Sequence, residues 1–312
     1  MEKIKFLGVP FSFGQPHQGV EKAAAHFRLR GFLAQVEEIA PVRDLGDIDF
    51  SLIKTKNRST SRIKNALASD MGCELISQCI EKEKIENSFL LNFGGDHGLA
   101  LGTIHGILTH RPETIVIWAD AHGDINPPEA SESGNFHGMP LSFLLGLNPR
   151  DKNFRWLKRF LRPQKLILFG PRDLDKAEKK IIEEFSIQYI SSEDIRKYGT
   201  EALLEIALRK ADPSGKAPLH LSFDVDFCDA HIVCATGTPV LAGPPQEEVT
   251  ELGRLLGKTG RLKSMDVVEL NPDIGSPREV RDSFKLTADF IRVTLRETFQ
   301  TSAESVRCGR SA

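Results

Sequence analysis

Eight short runs rich in apolar and β-branched residues punctuate this chain, near residues 3–8, 39–45, 88–93, 114–119, 165–169, 187–190, 218–223 and 263–269. Helical patterns separate them. The clearest covers about residues 60–82, where Ile63, Leu67, Met71, Leu75, Ile76, Cys79 and Ile80 recur at helical spacing and read as core packing. The run 115–118 (Ile115, Val116, Ile117, Trp118) is apolar at every position, so both of its faces must be buried, as in a parallel strand covered on two sides. Strands alternating with helices leave few architectures open. The expectation is an α/β fold, a three-layer α-β-α arrangement around a central, mostly parallel sheet of about eight strands. No repeat, low-complexity linker or change of composition divides the chain. Residues 1–312 therefore read as one domain, with 299–312 losing apolar periodicity and expected to fray.

Three of these runs end in side chains that bind metals. IVIWADAHGDIN (115–126) places Asp120, His122 and Asp124 at i, i+2 and i+4, which an extended strand would point one way. PLHLSFDVD (218–226) ends in Asp224 and Asp226, and SFLLNFGGDHG (88–98) presents Asp96 and His97 after a glycine pair. In open parallel sheets the carboxyl ends of the strands are the usual site position. His97, Asp120, His122, Asp124, Asp224 and Asp226 make four carboxylates and two imidazoles, a set suited to two divalent cations that share bridging carboxylates. Oxygen-rich ligation with some imidazole favours Mn²⁺, with Fe²⁺, Co²⁺ or Zn²⁺ open as alternatives. Asp96 reads as structural, and His220, within its strand, as a core residue.

GGDHGLALG, WADAHGDIN and SFDVDFCDA resemble the three metal-binding segments of the ureohydrolases: arginases, agmatinases, formimidoylglutamases and relatives. LGVPFSFGQPHQGVEKA, SGNFHGMPLSFLLG, GPRDLD, ATGTPV and VVELNPDIG resemble arginase motifs in the expected order, so the similarity runs from about residue 4 to about 297. The resemblance implies hydrolysis of a guanidino group by a hydroxide bridging two metals, most simply L-arginine and water to L-ornithine and urea. It implies that Asp124 orients that hydroxide, that Glu269 pairs with the guanidinium, that Thr238 lines the pocket and that His137 carries a proton to the leaving amine. Asn126, Ser133 and Asn135 match positions that bind an α-carboxylate, and Asp175 one that faces the α-amino group, with Asp173 supporting that loop. The chain departs from the family at Gly98, Gly123, Ala230, the Phe227 and Cys228 pair, and His17 and Gln18 of the opening loop. Family likeness also implies a homotrimer or homohexamer.

Composition narrows the rest. Forty-one basic residues against 43 acidic give a net charge of −2, so neither nucleic acid nor a membrane is an expected partner; the family resemblance implies a small guanidino compound instead. Phosphate-binding loop motifs are absent from the sequence. The cysteines (73, 79, 228, 234 and 308) are odd in number and form no C-x-x-C pair, which fits reduced thiols and a cytoplasmic setting. KNFRWLKRFLRPQK (152–165) reads as an amphipathic helix with a solvated basic face. Agmatine, guanidinobutyrate and formimidoylglutamate remain open as substrates, and a non-catalytic metal-binding regulator is the rival from another class. A one-metal deacetylase on a related sheet is disfavoured, because it would leave the second acidic site unused.

Overall fold

The computed structural model describes residues 3–54, 61–149 and 151–308. All eight runs are strands: β1 (Lys3–Gly8), β2 (Val42–Asp47), β3 (Ser88–Phe93), β4 (Ile115–Ala119), β5 (Leu166–Phe169), β6 (Gln188–Ile190), β7 (Leu219–Asp224) and β8 (Leu262–Val268). They form one sheet in the order β2-β1-β3-β8-β7-β4-β5-β6, and every pairing in it is parallel.

The strand pleat sorts the apolar side chains into two layers. Ile115, Ile117 and Ala119 of β4 join Leu221, Phe223, Met265 and Val267 on one face. Val116 and Trp118 join Leu90, Leu166 and Leu168 on the other. The helices Ala66–Lys82 and Ala100–His110 cover the second face through Ile76, Ile80, Leu101 and Ile104. Gln246–Lys258 and Pro277–Cys308 cover the first through Leu252, Leu256, Ile291 and Leu295. Burying each such side chain contributes about 1.5–3 kcal/mol, so these layers fix the strand register and with it the level at which each strand ends.

Three local expectations change. The first helix of the second layer begins at Ala66, and Leu67 and Met71 lie on its exposed side instead of in the core; residues 55–60 lie outside the described residues. Residues 152–162 are irregular, leading into a single turn at Pro163–Lys165. Tertiary bonds explain this: Asp70 accepts from Phe154 N at 2.9 Å and Trp156 Nε1 at 2.8 Å, and His105 Nε2 accepts from Lys158 N at 3.2 Å. They hold the segment against two helices and leave its cations outside. Finally, the last helix does not stop at Phe299 but runs to Cys308. It lies close against the helix Gln246–Lys258 and the turn after it, where a Cβ on Gly257 would come 2.7 Å from Thr294 O and one on Gly260 3.2 Å from Thr301 Cγ2.

Candidate metal centre and active site

The four strands that carry the candidate residues are neighbours, β3-β8-β7-β4, so their carboxyl ends share one edge. Three of them turn by the same device, an aspartate that accepts the backbone N–H two residues on. Asp96 Oδ1 takes Gly98 N at 2.9 Å, Asp120 Oδ1 takes His122 N at 2.7 Å, and Asp224 Oδ1 takes Asp226 N at 2.8 Å. Asp120, His122 and Asp124 therefore converge by a turn beyond β4, and not along an extended strand as their spacing suggests; Asp124 itself is left-handed, at φ 49°. The turn after β3 requires glycine at 95, where φ is 81° and a Cβ would lie 2.6 Å from Phe11 O.

Two donor groups result, His97 with Asp120 and Asp224, and Asp120 with His122 and Asp226. Asp120 belongs to both. Its Oδ2 lies 2.9 Å from His97 Nδ1 and its Oδ1 lies 3.3 Å from His122 Nδ1, so one carboxylate stands between two imidazoles. Asp124 Oδ2 and Asp224 Oδ2 are 3.1 and 3.3 Å from His97 Nδ1, and Asp226 Oδ2 is 3.2 Å from His122 Nδ1. His97 Nε2 bonds Ser222 Oγ at 2.8 Å, and the ring stacks on Trp118 at 3.8 Å. With Nε2–H given to Ser222, Nδ1 keeps its lone pair, and it makes no aligned hydrogen bond although it is buried among three carboxylates.

The electrostatics point the same way. Burial and the charges of Asp226 and Asp120 push Asp224 well above the usual carboxylate range. Burial and then Asp120 raise Asp124 to about 6. Burial opposes charge on Asp120 too, yet its contacts with His122 and His97 hold it well below the usual range. Four carboxylates confined with two imidazoles form a nest short of positive charge, and divalent cations fit that donor set.

Beside this nest is a cleft of about 320 Å³ whose lining includes His122, Asp124, Asn126, Ser133, His137, Asp175 and Thr238. Thr238 Oγ1 donates to Asp226 Oδ2 at 3.1 Å. His137 Nδ1 lies 3.0 Å from Glu269 Oε1; burial opposes its charge, but Glu269 holds its pKa at about 9. Asp175 caps the helix Lys176–Glu184, one oxygen taking the N–H groups of Ala177 and Glu178, while its other oxygen accepts from Asn126 Nδ2 at 2.6 Å. Two expected substrate residues are placed differently. Glu269, only 1% exposed and left-handed at φ 64°, is not in the cleft lining. Its Oε1 accepts from His97 N at 2.9 Å and its Oε2 from Gln15 Nε2 at 2.6 Å. Asn135 lines an adjoining cavity, although Ser133 Oγ accepts its N–H at 3.1 Å.

Asp96 has the structural place expected of it, whereas Arg172 carried no sequence signal of its own. Asp96 is fully buried, and its Oδ2 accepts from Gly14 N at 2.8 Å, tying the opening loop to the site. Arg172, in the GPRDLD segment, donates to Gly170 O at 3.5 Å and Ser192 Oγ at 3.4 Å and to five carbonyls of later loops: Asp226, Phe227, Cys228, Val240 and Leu241, at 2.7, 3.2, 3.0, 2.9 and 3.1 Å. The glycines that depart from the family pattern have filled surroundings: a Cβ on Gly98 would meet Asp96 Oδ1 and Phe136 at 2.8 Å, and one on Gly123 would meet Glu178 and Leu174 at 2.7 Å.

The model of the arginase family matches residues 2–295. This chain belongs to the arginase family. An arginase of Schizosaccharomyces pombe is 33% identical over 95% of the chain and 92% of its own length. The mitochondrial arginase-2 of Rattus norvegicus is 34% identical over 96% of this chain and 86% of its own. Among solved structures, the Entamoeba histolytica arginase in complex with L-ornithine superposes with a TM-score of 0.82 at 30% identity, covering 93% of this chain and 98% of that one. The arginase-family fold thus spans nearly the whole chain, and the nest at its strand ends fits the binuclear metal site on which the family depends.

Proposed function

We propose that this protein is a manganese-dependent arginase that hydrolyses L-arginine to L-ornithine and urea. One observation carries the reading: the two oxygens of Asp120 face different imidazoles, so this one carboxylate would belong to both donor groups that could hold a cation. His97, Asp120, Asp124 and Asp224 would hold one cation, and Asp120, His122 and Asp226 the other. Bound there, two divalent cations supply deprotonated water near neutral pH, because coordination lowers the pKa of water from 15.7 to about 7.

The chain's own residues do the rest. Glu269 fixes the His137 imidazole by accepting from Nδ1 with its Oε1, and its charge favours the protonated imidazole. That leaves Nε2 of a protonated His137 to give its proton to the leaving amine. Thr238 keeps Asp226 oriented. Asn126 and Ser133 in the cleft, with Asn135 in the adjoining cavity, would receive the carboxylate of the substrate, and Asp175 its amino group. One catalytic domain, a homotrimeric or homohexameric assembly and a cytoplasmic location complete the proposal. The free thiols at Cys73, Cys79, Cys228 and Cys234 support that location, and no helix among the described residues is long and apolar enough to cross a membrane.

The test is urea release by the Mn²⁺-loaded protein from L-arginine, agmatine and 4-guanidinobutyrate in parallel, with formamide assayed from formimidoylglutamate. A kcat/KM for L-arginine at least tenfold above the others is expected. Preference for another compound would keep the metal chemistry and discard the substrate assignment.

A further inference from the structure

The arginine reading leaves an electrostatic gap. The cleft lining carries the carboxylates of Asp124, Glu132, Asp173, Asp175, Glu178 and Asp224. Bound cations would offset Asp124 and Asp224, but Glu132, Asp173 and Asp175 would still favour a guanidinium and an ammonium over the substrate's carboxylate. Of the neutral groups expected to receive that carboxylate, Asn126 has its amide on Asp175 and Asn135 faces the adjoining cavity.

That cavity, about 390 Å³, has the opposite character. Its lining includes Arg62 and Lys64 and no carboxylate. It is built onto the rim of the catalytic cleft. Lys64 N donates to Gly134 O at 2.8 Å, and His137 N donates to Gly14 O at 3.1 Å. Gly134 is left-handed, at φ 68°; a Cβ there would lie 2.6 Å from Arg62 O and 3.7 Å from Lys64 Cγ. The Lys64 side chain thus starts beside Gly134, between Ser133 and Asn135 in the chain. Arg62 is committed to Glu129 O at 2.9 Å, whereas Lys64 is exposed and forms no ion pair among the described residues.

We propose that Lys64 is the specificity-determining cation of the rim, its ammonium receiving the carboxylate of guanidino acids next to Ser133 and Asn135. The inference rests on the arginine reading. It makes acid-bearing substrates the preferred class, because among the described residues the Lys and Arg side chains beside Ser133 and Asn135, Arg62 and Lys64, lie on this wall. A charge-assisted bond at such a place acts on ground state and transition state alike, so it lowers KM and leaves kcat nearly unchanged.

The experiment is calorimetric titration of the Mn²⁺-loaded protein with L-ornithine and with 1,4-diaminobutane, which lacks the carboxylate, together with steady-state kinetics on L-arginine. Lys64→Met is expected to weaken ornithine binding about tenfold, equivalent to about 1.4 kcal/mol. Diaminobutane binding should stay unchanged, and KM for arginine should rise by the same factor at constant kcat. Lys64→Arg should restore most of the loss, and Lys64→Gln serves where the methionine variant is unstable. Equal losses for both ligands, or no loss for ornithine, would overturn the assignment. Wild-type protein that neither binds ornithine nor hydrolyses arginine would instead overturn the arginine reading itself.

Discussion

Strand β7 has a buried carboxylate site at each end, and the two behave oppositely. Before it, Asp212 accepts from Ser214 Oγ at 2.5 Å, Ala217 N at 2.7 Å and Arg261 Nη2 at 2.8 Å. Those hydrogen bonds, with Ser214 foremost, hold its carboxyl well below the usual range. After it, Asp224 has one backbone donor and two acidic neighbours that repel its charge, Asp226 and Asp120, and burial with their repulsion drives its carboxyl upward. A carboxylate that is fully matched by local donors stabilises the fold. One left in excess negative charge costs stability and is maintained for what it binds.

The sharpest way to break this comparison is Asp120→Ala, which removes the carboxylate common to both donor groups. Turnover should fall by about 10³-fold or more, since a bound cation contributes several kcal/mol at the transition state, and elemental analysis should find fewer than two Mn²⁺ per chain. Near-normal turnover would refute the shared-ligand reading. Asp212→Asn should destabilise the fold by about 2 kcal/mol at pH 7, because an amide group then faces donors in a buried network, while turnover stays at the wild-type level. The sign of its pH dependence follows from the lowered folded-state pKa. The stabilisation is present above the unfolded carboxylate value of about 3.9 and is lost as pH falls toward the folded one. Denaturant curves for wild type and variant should therefore draw together below about pH 4. The smallest effect has the opposite sign. After chelation, Asp224→Asn should melt roughly 3 °C higher than wild type, about 1 kcal/mol for a chain of this size, and should gain less on adding Mn²⁺. A lower melting point would mean that the charge excess is not a cost.

Legibility in the sequence followed the same division. The strands announced themselves because both faces of β4 and β7 are buried, and their terminal aspartates and histidines were visible as short spacings. The reason for convergence was not, because a turn formed by Asp120 on His122 N and a strand with alternating side chains share one spacing. Contacts between distant segments were invisible for a simpler reason. Gln15 meets Glu269 across 254 positions, and Asp96 meets Gly14 across 82, so no local pattern encodes either. Residues 152–162 were misread as helix because their apolar residues pack on Asp70 and His105 of other elements, which outweighs helical spacing.

The five carbonyls gathered by Arg172 come from two loops, the one that follows β7 and the one at 240–241. Its planar fork has five N–H donors, and lysine with three could not span them. The two loops are therefore expected to open to solvent together, which amide exchange would read as a common protection. The lip of the cleft near Ser133 has no such tie to them. The protein can thus change its grip on one end of a ligand while the floor beneath the other end stays closed.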